Sequence, residues 1–186
     1  MLKNSLRKTY KQKRISLSEE EKNNLQNNIY QQLFKLDFTA VKTIHLFLSM
    51  DKFNEINTQP IIDFFRSIDK QIAVSVCDFS NNTLKHYLLT ENTQLSVNKF
   101  GVPEPVNATK ITPQELDIIF VPMLISDKKN YRVGYGKGFY DRFLASCKPD
   151  TIFVGLSLFE PEQELPSEET DIPLHFCITT TEIFSF

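Results

Sequence analysis

Five short stretches of this chain are apolar on both faces: TIHLFLS at 43–49, IAVSV at 72–76, DIIFVP at 117–122, TIFVG at 151–155 and FCIT at 176–179. A strand with one wet face alternates apolar and polar residues. These segments do not, so they require cover on both sides. That is the condition of a mostly parallel sheet between two helical layers. Helical patterns alternate with them. One spans 3–14. A second opens at Ser18, with Glu21 three residues on and Glu19 and Glu20 in its first turn, and continues through Leu25, Ile29 and Leu33. A third runs from Thr58 to Ile68 with Pro60 in its first turn, and a fourth starts near Gly138 and ends before Pro149. LKHYLL at 84–89 adds a strand, while 98–114, 126–137 and 161–173 read as loops. The expected fold class is α/β, a three-layer α/β/α arrangement around a twisted, mostly parallel sheet, in one domain over 1–186. Ligands of such folds bind beyond the carboxyl ends of the strands, where loop 126–137 lies.

Composition excludes several functions. No run of 18 apolar residues exists, so no membrane span is expected. The start, MLKNSLRKTYKQKR, has no apolar segment behind its charges, and the expected location is the cytoplasm. Cys77, Cys147 and Cys177 are scattered and form neither a metal-ligand pair nor a disulfide framework. The net charge of −2 argues against a bulk nucleic-acid binder. The charge is uneven, however. Residues 1–14 hold Lys3, Arg7, Lys8, Lys11, Lys13 and Arg14 with no acid, and 128–142 hold Lys128, Lys129, Arg132, Lys137 and Arg142. Two basic islands in an acidic chain suggest a small anionic ligand between them. On a helix, Lys3, Arg7 and Lys11 share one face; the alternative is an ordinary solvated face.

The chain has only five glycines, and three, Gly134, Gly136 and Gly138, fall within five residues. Alternating glycines let backbone amides approach phosphate oxygens. Arg132 and Lys137 supply positive charge, and Asp141 is a carboxylate of the kind that joins phosphates in holding Mg²⁺. Tyr131, Tyr135 and Tyr140 offer stacking surfaces for a flat ligand. The pattern is neither the P-loop nor the dinucleotide fingerprint, and a tight turn before a helix is the structural alternative. Glu55 and Asp171, taken alone, read as surface residues. His45, His86 and His175 have no metal or triad spacing, and His45, in an apolar strand, reads as a satisfied core residue. No nucleophile elbow is present.

The segment RVGYGKGFYDR at 132–142, preceded by DIIFVP and Asp127, resembles the signature of the 5-formyltetrahydrofolate cyclo-ligase (methenyltetrahydrofolate synthetase) family. So do Lys3, Leu6, Arg7 and Arg14 in the pattern KxxLRxxxxxxR, the segment FLSMDKFNEINT, FGVPEP at 100–105 and the late Asp171. Asn130 stands where the family has a glycine, and Asn also accepts positive φ. The resemblance implies a fold similar to phosphosugar isomerases. It implies an ATP-dependent enzyme that cyclises 5-formyltetrahydrofolate to 5,10-methenyltetrahydrofolate, releasing ADP and phosphate through a phosphorylated formyl intermediate. Carried over by position, Lys3, Arg7, Arg132, Gly134, Tyr135, Gly136, Lys137, Gly138, Phe139 and Tyr140 would bind ATP. Met50, Glu55, Tyr135 and Phe139 would face the folate. Arg132, Lys137 and Tyr140 would be catalytic, and Asp141 and Asp171 would ligate Mg²⁺. ATP and the folate are then the only expected partners, with no nucleic acid or membrane, and the chain acts as a monomer. Two other readings remain open: a sugar-phosphate isomerase on the same scaffold, and a non-enzymatic nucleotide or RNA-binding module.

Overall fold

The computed structural model describes residues 2–98 and 101–186. Its helices are α1 (Lys3–Ile15), α2 (Glu19–Leu33), α3 (Gln59–Ser67) and α4 (Phe139–Ala145). Five strands, β1 (Thr43–His45), β2 (Gln71–Asp78), β7 (Ile118–Val121), β10 (Ile152–Leu156) and β11 (Phe176–Ile178), form a parallel core in the spatial order β2-β1-β7-β10-β11. Antiparallel β3 (Thr83–Leu88) and β6 (Lys110–Ile111) extend it beyond β2, and β12 (Ile183–Ser185) closes the other edge. Two hairpins stand outside the sheet: β4 (Gln94–Val97) with β5 (Pro103–Val106), and β8 (Ile125–Ser126) with β9 (Arg132–Val133). From β1 the chain moves one way to β2, then returns to lay β7 on the other side. The crevice of such a doubly wound sheet opens at that reversal, between the carboxyl ends of β1 and β7.

The strands are apolar on both faces because each face meets helices. Ile118 and Phe120 pack with Ile29 and Leu33 of α2 and Ile61 and Phe65 of α3. Their neighbours Ile119 and Val121 pack with Phe143 and Leu144 of α4. The helix at 19–33 starts where its cap dictates: Glu21 N–H donates to Ser18 Oγ at 3.2 Å and Ser18 N–H donates to Glu21 Oε2 at 2.8 Å. The first helix departs from the layers. Leu6 and Tyr10 leave the sheet alone and pack on Leu124, Ile125 and Val133 around the β8–β9 hairpin.

Four details differ from the sequence reading. The strand expected over 43–49 ends at His45; Leu46 N–H still reaches Ala73 O at 2.9 Å, and the chain then leaves the sheet toward the crevice. Loop 126–137 contains the β8–β9 hairpin, turned through Asn130 at φ 69°. Segment 98–114 contributes β5 and β6, and the prolines of β5 are tolerated because its pairing is a two-stranded ribbon at the periphery. Strand β12 had no signal strong enough to name. Phe100 of FGVPEP lies outside the described residues.

Phe65 is fully buried at the centre of the α3 layer, with Phe38 at 4.8 Å and Phe120 at 5.8 Å between ring centroids. Phe65→Ala should lower unfolding free energy by about 3–5 kcal/mol. The check is a lower denaturant midpoint with an unchanged m-value.

Candidate active site

The crevice between β1 and β7 holds a cleft of about 760 Å³. Helix α1 supplies one wall, residues 132–142 a second, and the outer ends of β2 and β3 the floor. Of the row read from the sequence, Arg7 and Lys11 lie along the glycine loop and Lys3 reaches the 168–171 segment. Arg7 Nε–H donates to Gly134 O at 3.2 Å, and Lys11 Nζ lies 5.3 Å from the Tyr135 ring centroid. Lys3 Nζ donates to Asp171 Oδ2 at 2.6 Å and pairs with Glu168 at 3.0 Å. Burial opposes the Lys3 charge, but these two carboxylates outweigh it and raise its pKa. Gly136 has φ +88°, which strains any residue with a side chain, and a Cβ there would lie 2.8 Å from Arg7 Cζ and push the guanidinium aside.

Arg14 ends the same helix face but is buried at 4 % exposure. Its Nη1 donates to the Tyr135 hydroxyl at 2.9 Å and its Nη2 to Met123 O at 2.5 Å. The Tyr135 hydroxyl donates to Glu55 Oε1, and Met50 N–H donates to Glu55 Oε2 at 2.7 Å. Glu55 is therefore a buried joint between the segment after β1, the glycine loop and α1, rather than the surface residue its isolated position suggests. Burial raises its pKa, opposed by Tyr135, the Met50 amide and Arg14.

Arg132 is also a joint. It is 9 % exposed; its Nη2 meets Asp141 Oδ1 at 2.6 Å and its Nη1 donates to Ile172 O. It ties α4 to the 168–172 segment. Asp127, fully buried, accepts from the amides of Lys129, Tyr131 and Leu165 and shapes the approach to the glycine loop. Lys137 is different: it is exposed, lines the cleft, and its ammonium has no partner among the described residues. Phe139 packs edge-on to Phe79 at 5.4 Å between centroids. The Tyr140 hydroxyl has no hydrogen bond among the described residues, and burial holds its proton well above the ordinary range.

The cleft divides by charge. Toward α1 and the glycine loop it carries Lys3, Arg7, Lys11, Arg132 and Lys137; over β2 and β3 it carries Ser75, Cys77, Phe79 and Leu84, with Arg142 at that edge, its Nε–H donating to Asn82 O at 2.9 Å, and Lys52 also in the lining. The floor hides a feature that sequence spacing did not show. His45 Nε2 lies 2.6 Å from Ser75 Oγ, and His86 Nδ1 lies 3.0 Å from the same oxygen. His45 is buried as expected but not satisfied, because its Nδ1 has no partner among the described residues.

The sequence profile of the 5-formyltetrahydrofolate cyclo-ligase family matches residues 1–180. The chain belongs to the 5-formyltetrahydrofolate cyclo-ligase family. It is 36 % identical over 141 residues to the 5-formyltetrahydrofolate cyclo-ligase of Haemophilus influenzae, covering 72 % of this chain and 73 % of that one. It is 27 % identical to the enzyme of the same name from Mycoplasma genitalium, with 95 % and 96 % of the two chains covered. The NMR structure of Aquifex aeolicus 5,10-methenyltetrahydrofolate synthetase superposes with a TM-score of 0.85 at 31 % identity, over 100 % of this chain and 93 % of that one.

Membership in this cyclo-ligase family makes the chain an enzyme of the ligase class and removes the isomerase and binding-module alternatives. Among the described residues no helix is long and apolar enough to cross a membrane. The sequence pattern of the family contained Arg14 without showing its role; burial is what reveals it. Two expectations follow. Arg14→Ala leaves Glu55 buried without its cation and should cost about 3–5 kcal/mol, measured by chemical denaturation. The second concerns pH. Burial pushes His86 down to about 4, and burial together with His86 pushes His45 well below its ordinary value. An unfolded histidine takes up a proton below about 6.5, whereas the folded pair does not, so stability falls as pH drops from about 6.5 toward 4. Glu55, raised by burial, acts in the opposite sense. His86→Gln should therefore flatten the fall in Tm across that window.

Proposed function

We propose that the chain converts 5-formyltetrahydrofolate to 5,10-methenyltetrahydrofolate, with ATP going to ADP and phosphate, in the cleft between β1 and β7. The observation that carries this is the basic face of α1 laid along the glycine loop, beside a half floored by Cys77, Phe79 and Leu84. Polyphosphate fits the first half and a flat pteridine the second. Lys3, Arg7, Lys11, Lys137 and the loop backbone would hold the phosphates. Met50, Tyr135, Phe139 and Tyr140 would border the folate, with Glu55 fixing Met50 and Tyr135 from behind. The enzyme would act as a monomer, and a cytoplasmic location is in keeping with both substrates.

The reaction needs no protein nucleophile. The formyl oxygen attacks the γ-phosphorus and ADP departs, which turns the formyl amide into an imidoyl phosphate. The N10 lone pair then adds to the formyl carbon, N10 gives up its proton to solvent, the carbon–oxygen bond breaks, and phosphate leaves with that oxygen. Such a transfer rests on positioning and charge neutralisation, which an unpaired lysine at the mouth and arginines along the wall can supply. The Tyr140 hydroxyl, a donor without a partner among the described residues, would stabilise charge developing on oxygen.

The residues present fit Mg²⁺. Oδ1 of Asp141 and Oδ2 of Asp171 are occupied, but their other oxygens carry no hydrogen bond among the described residues. No cluster of three His, Cys, Asp or Glu forms a complete cage among those residues, in keeping with an ion held by one or two carboxylates plus phosphate oxygens. When bound, the ion would neutralise phosphate charge.

The test is a coupled assay with purified protein, Mg²⁺ and ATP. ADP should form only when 5-formyltetrahydrofolate is present, together with the near-ultraviolet absorbance of the methenyl product. ATP turnover independent of the folate, or none, would refute the reading. Lys137→Ala should lower kcat by about 10²-fold or more with Tm unchanged, since the exposed Lys137 ammonium has no partner among the described residues. Gly136→Ala should displace Arg7 and raise the KM for ATP more than that for the folate.

A further inference from the structure

We infer that Ser75 is a substrate contact in the apolar half of the cleft, its Oγ accepting a hydrogen bond from an N–H of the pteridine, with His45 and His86 holding it in that state. The inference rests on the proposed function for the identity of the ligand. Its geometry is independent of that reading.

The three residues come from three adjacent strands. Ser75 of β2 is paired in register with His86 of β3, and His45 lies on β1 beside Ala73. All three side chains emerge on the α4 side of the sheet, where His45 and His86 pack against Phe143 at 4.9 Å and 4.0 Å between ring centroids. A serine hydroxyl has one proton and two lone pairs. Two imidazole nitrogens address this one, so a single hydrogen-bonding capacity remains for the cleft, which Ser75 lines.

The direction of the chain of bonds follows from His45. Its Nδ1 is buried and without a partner among the described residues. Were Nε2 the acceptor, the neutral ring would carry its proton on Nδ1, leaving a buried N–H without an acceptor, which is costlier than an unused lone pair. His45 therefore donates from Nε2 to Ser75. Neutral imidazole in histidine also favours the proton on Nε2, so His86 Nδ1 is bare and accepts the Ser75 proton. Burial keeps both rings neutral. The remaining lone pair of Ser75 faces the cleft as an acceptor. Nearby, the Tyr140 hydroxyl is a donor without a partner among the described residues, and its ring lies 6.2 Å from that of His45. One acceptor and one donor over Cys77 and Leu84 match a heteroaromatic ring whose edge carries both N–H groups and acceptors. The cationic half of the cleft, in contrast, suits phosphate.

The experiment compares wild type, Ser75→Ala and Ser75→Thr by steady-state kinetics with each substrate varied. Ser75→Ala should raise the KM for 5-formyltetrahydrofolate about tenfold, the loss of one hydrogen bond, with the KM for ATP unchanged. Ser75→Thr, which keeps the hydroxyl, should stay within about threefold of wild type. An unchanged folate KM in Ser75→Ala, or equal rises for ATP and folate, overturns the inference. Because Ser75→Ala also strips a partner from His45, ¹⁵N NMR of the wild-type histidines provides a second measurement. Both should show a protonated Nε2 and a bare Nδ1; a proton on Nδ1 of His86 would make Ser75 a donor and overturn the inference. If the wild-type protein forms no methenyl product, the proposed function fails, while the NMR result still decides the state of Ser75.

Discussion

The buried contact of Arg14 with Tyr135, and of Tyr135 with Glu55, is the interaction on which the site depends. Helix α1 is not held by the sheet. It rests on a small apolar cluster around Leu6, Tyr10 and Val133, and polar contacts fix its orientation. Arg14 makes the most buried of them. Its guanidinium bonds a main-chain carbonyl and a hydroxyl and lies 4.0 Å from a carboxylate. With its carboxyl-terminal end pinned there, the helix lays Arg7 along the glycine loop and Lys3 on Asp171 and Glu168. A buried ionic contact of this kind is weak evidence for stability and better evidence for a fixed geometry.

The same network reaches the other half of the cleft. Glu55 accepts from the Met50 amide as well as from Tyr135, so the segment leaving β1 and the loop following β7 are tied across the reversal in strand order. The topology opens a crevice there, and the polar joints determine its width. Arg132 does for α4 and the 168–172 segment what Arg14 does for α1. The cations around the cleft are thus of two kinds. Arg14, behind its wall, and Arg132, in its lining, are buried and hold neighbouring segments together. Lys11 and Lys137 line the cleft with no carboxylate partner among the described residues and are available to a ligand.

Much of this was legible in the sequence, for identifiable reasons. The parallel core was legible because Ile118, Ile119, Phe120 and Val121 form a run with no polar face, and that pattern has few other uses. The start of α2 was legible because Ser18 and Glu21 are a local device that needs no tertiary context. Lys3, Arg7 and Lys11 share a helix face by arithmetic alone. What was not legible depends on distance in space. Glu55 reads as a surface residue until Tyr135, eighty positions away, is brought over it. Ser75, His45 and His86 have no meaningful spacing along the chain; strand pairing alone joins them. The short strands β8, β9 and β12 lack periodicity because two or three residues cannot display any.

The division of the cleft also explains why so few glycines suffice. Only Gly136 meets the α1 arginine, and only there does a side chain collide with the partner that the loop is built to receive. Gly134 adopts no unusual φ, and a Cβ there would meet nothing closer than Pro122 O at 3.9 Å. The clustering that marks this loop in the sequence therefore has unequal physical content. One glycine makes room for a cation, Gly138 turns the chain into α4 at φ +67°, and one leaves the backbone open beside a carbonyl that already accepts from Arg7. A loop so constrained on its helix side has one open side, toward the cleft, and that is the side on which an anionic ligand would find both the exposed Lys137 and the amides of the loop.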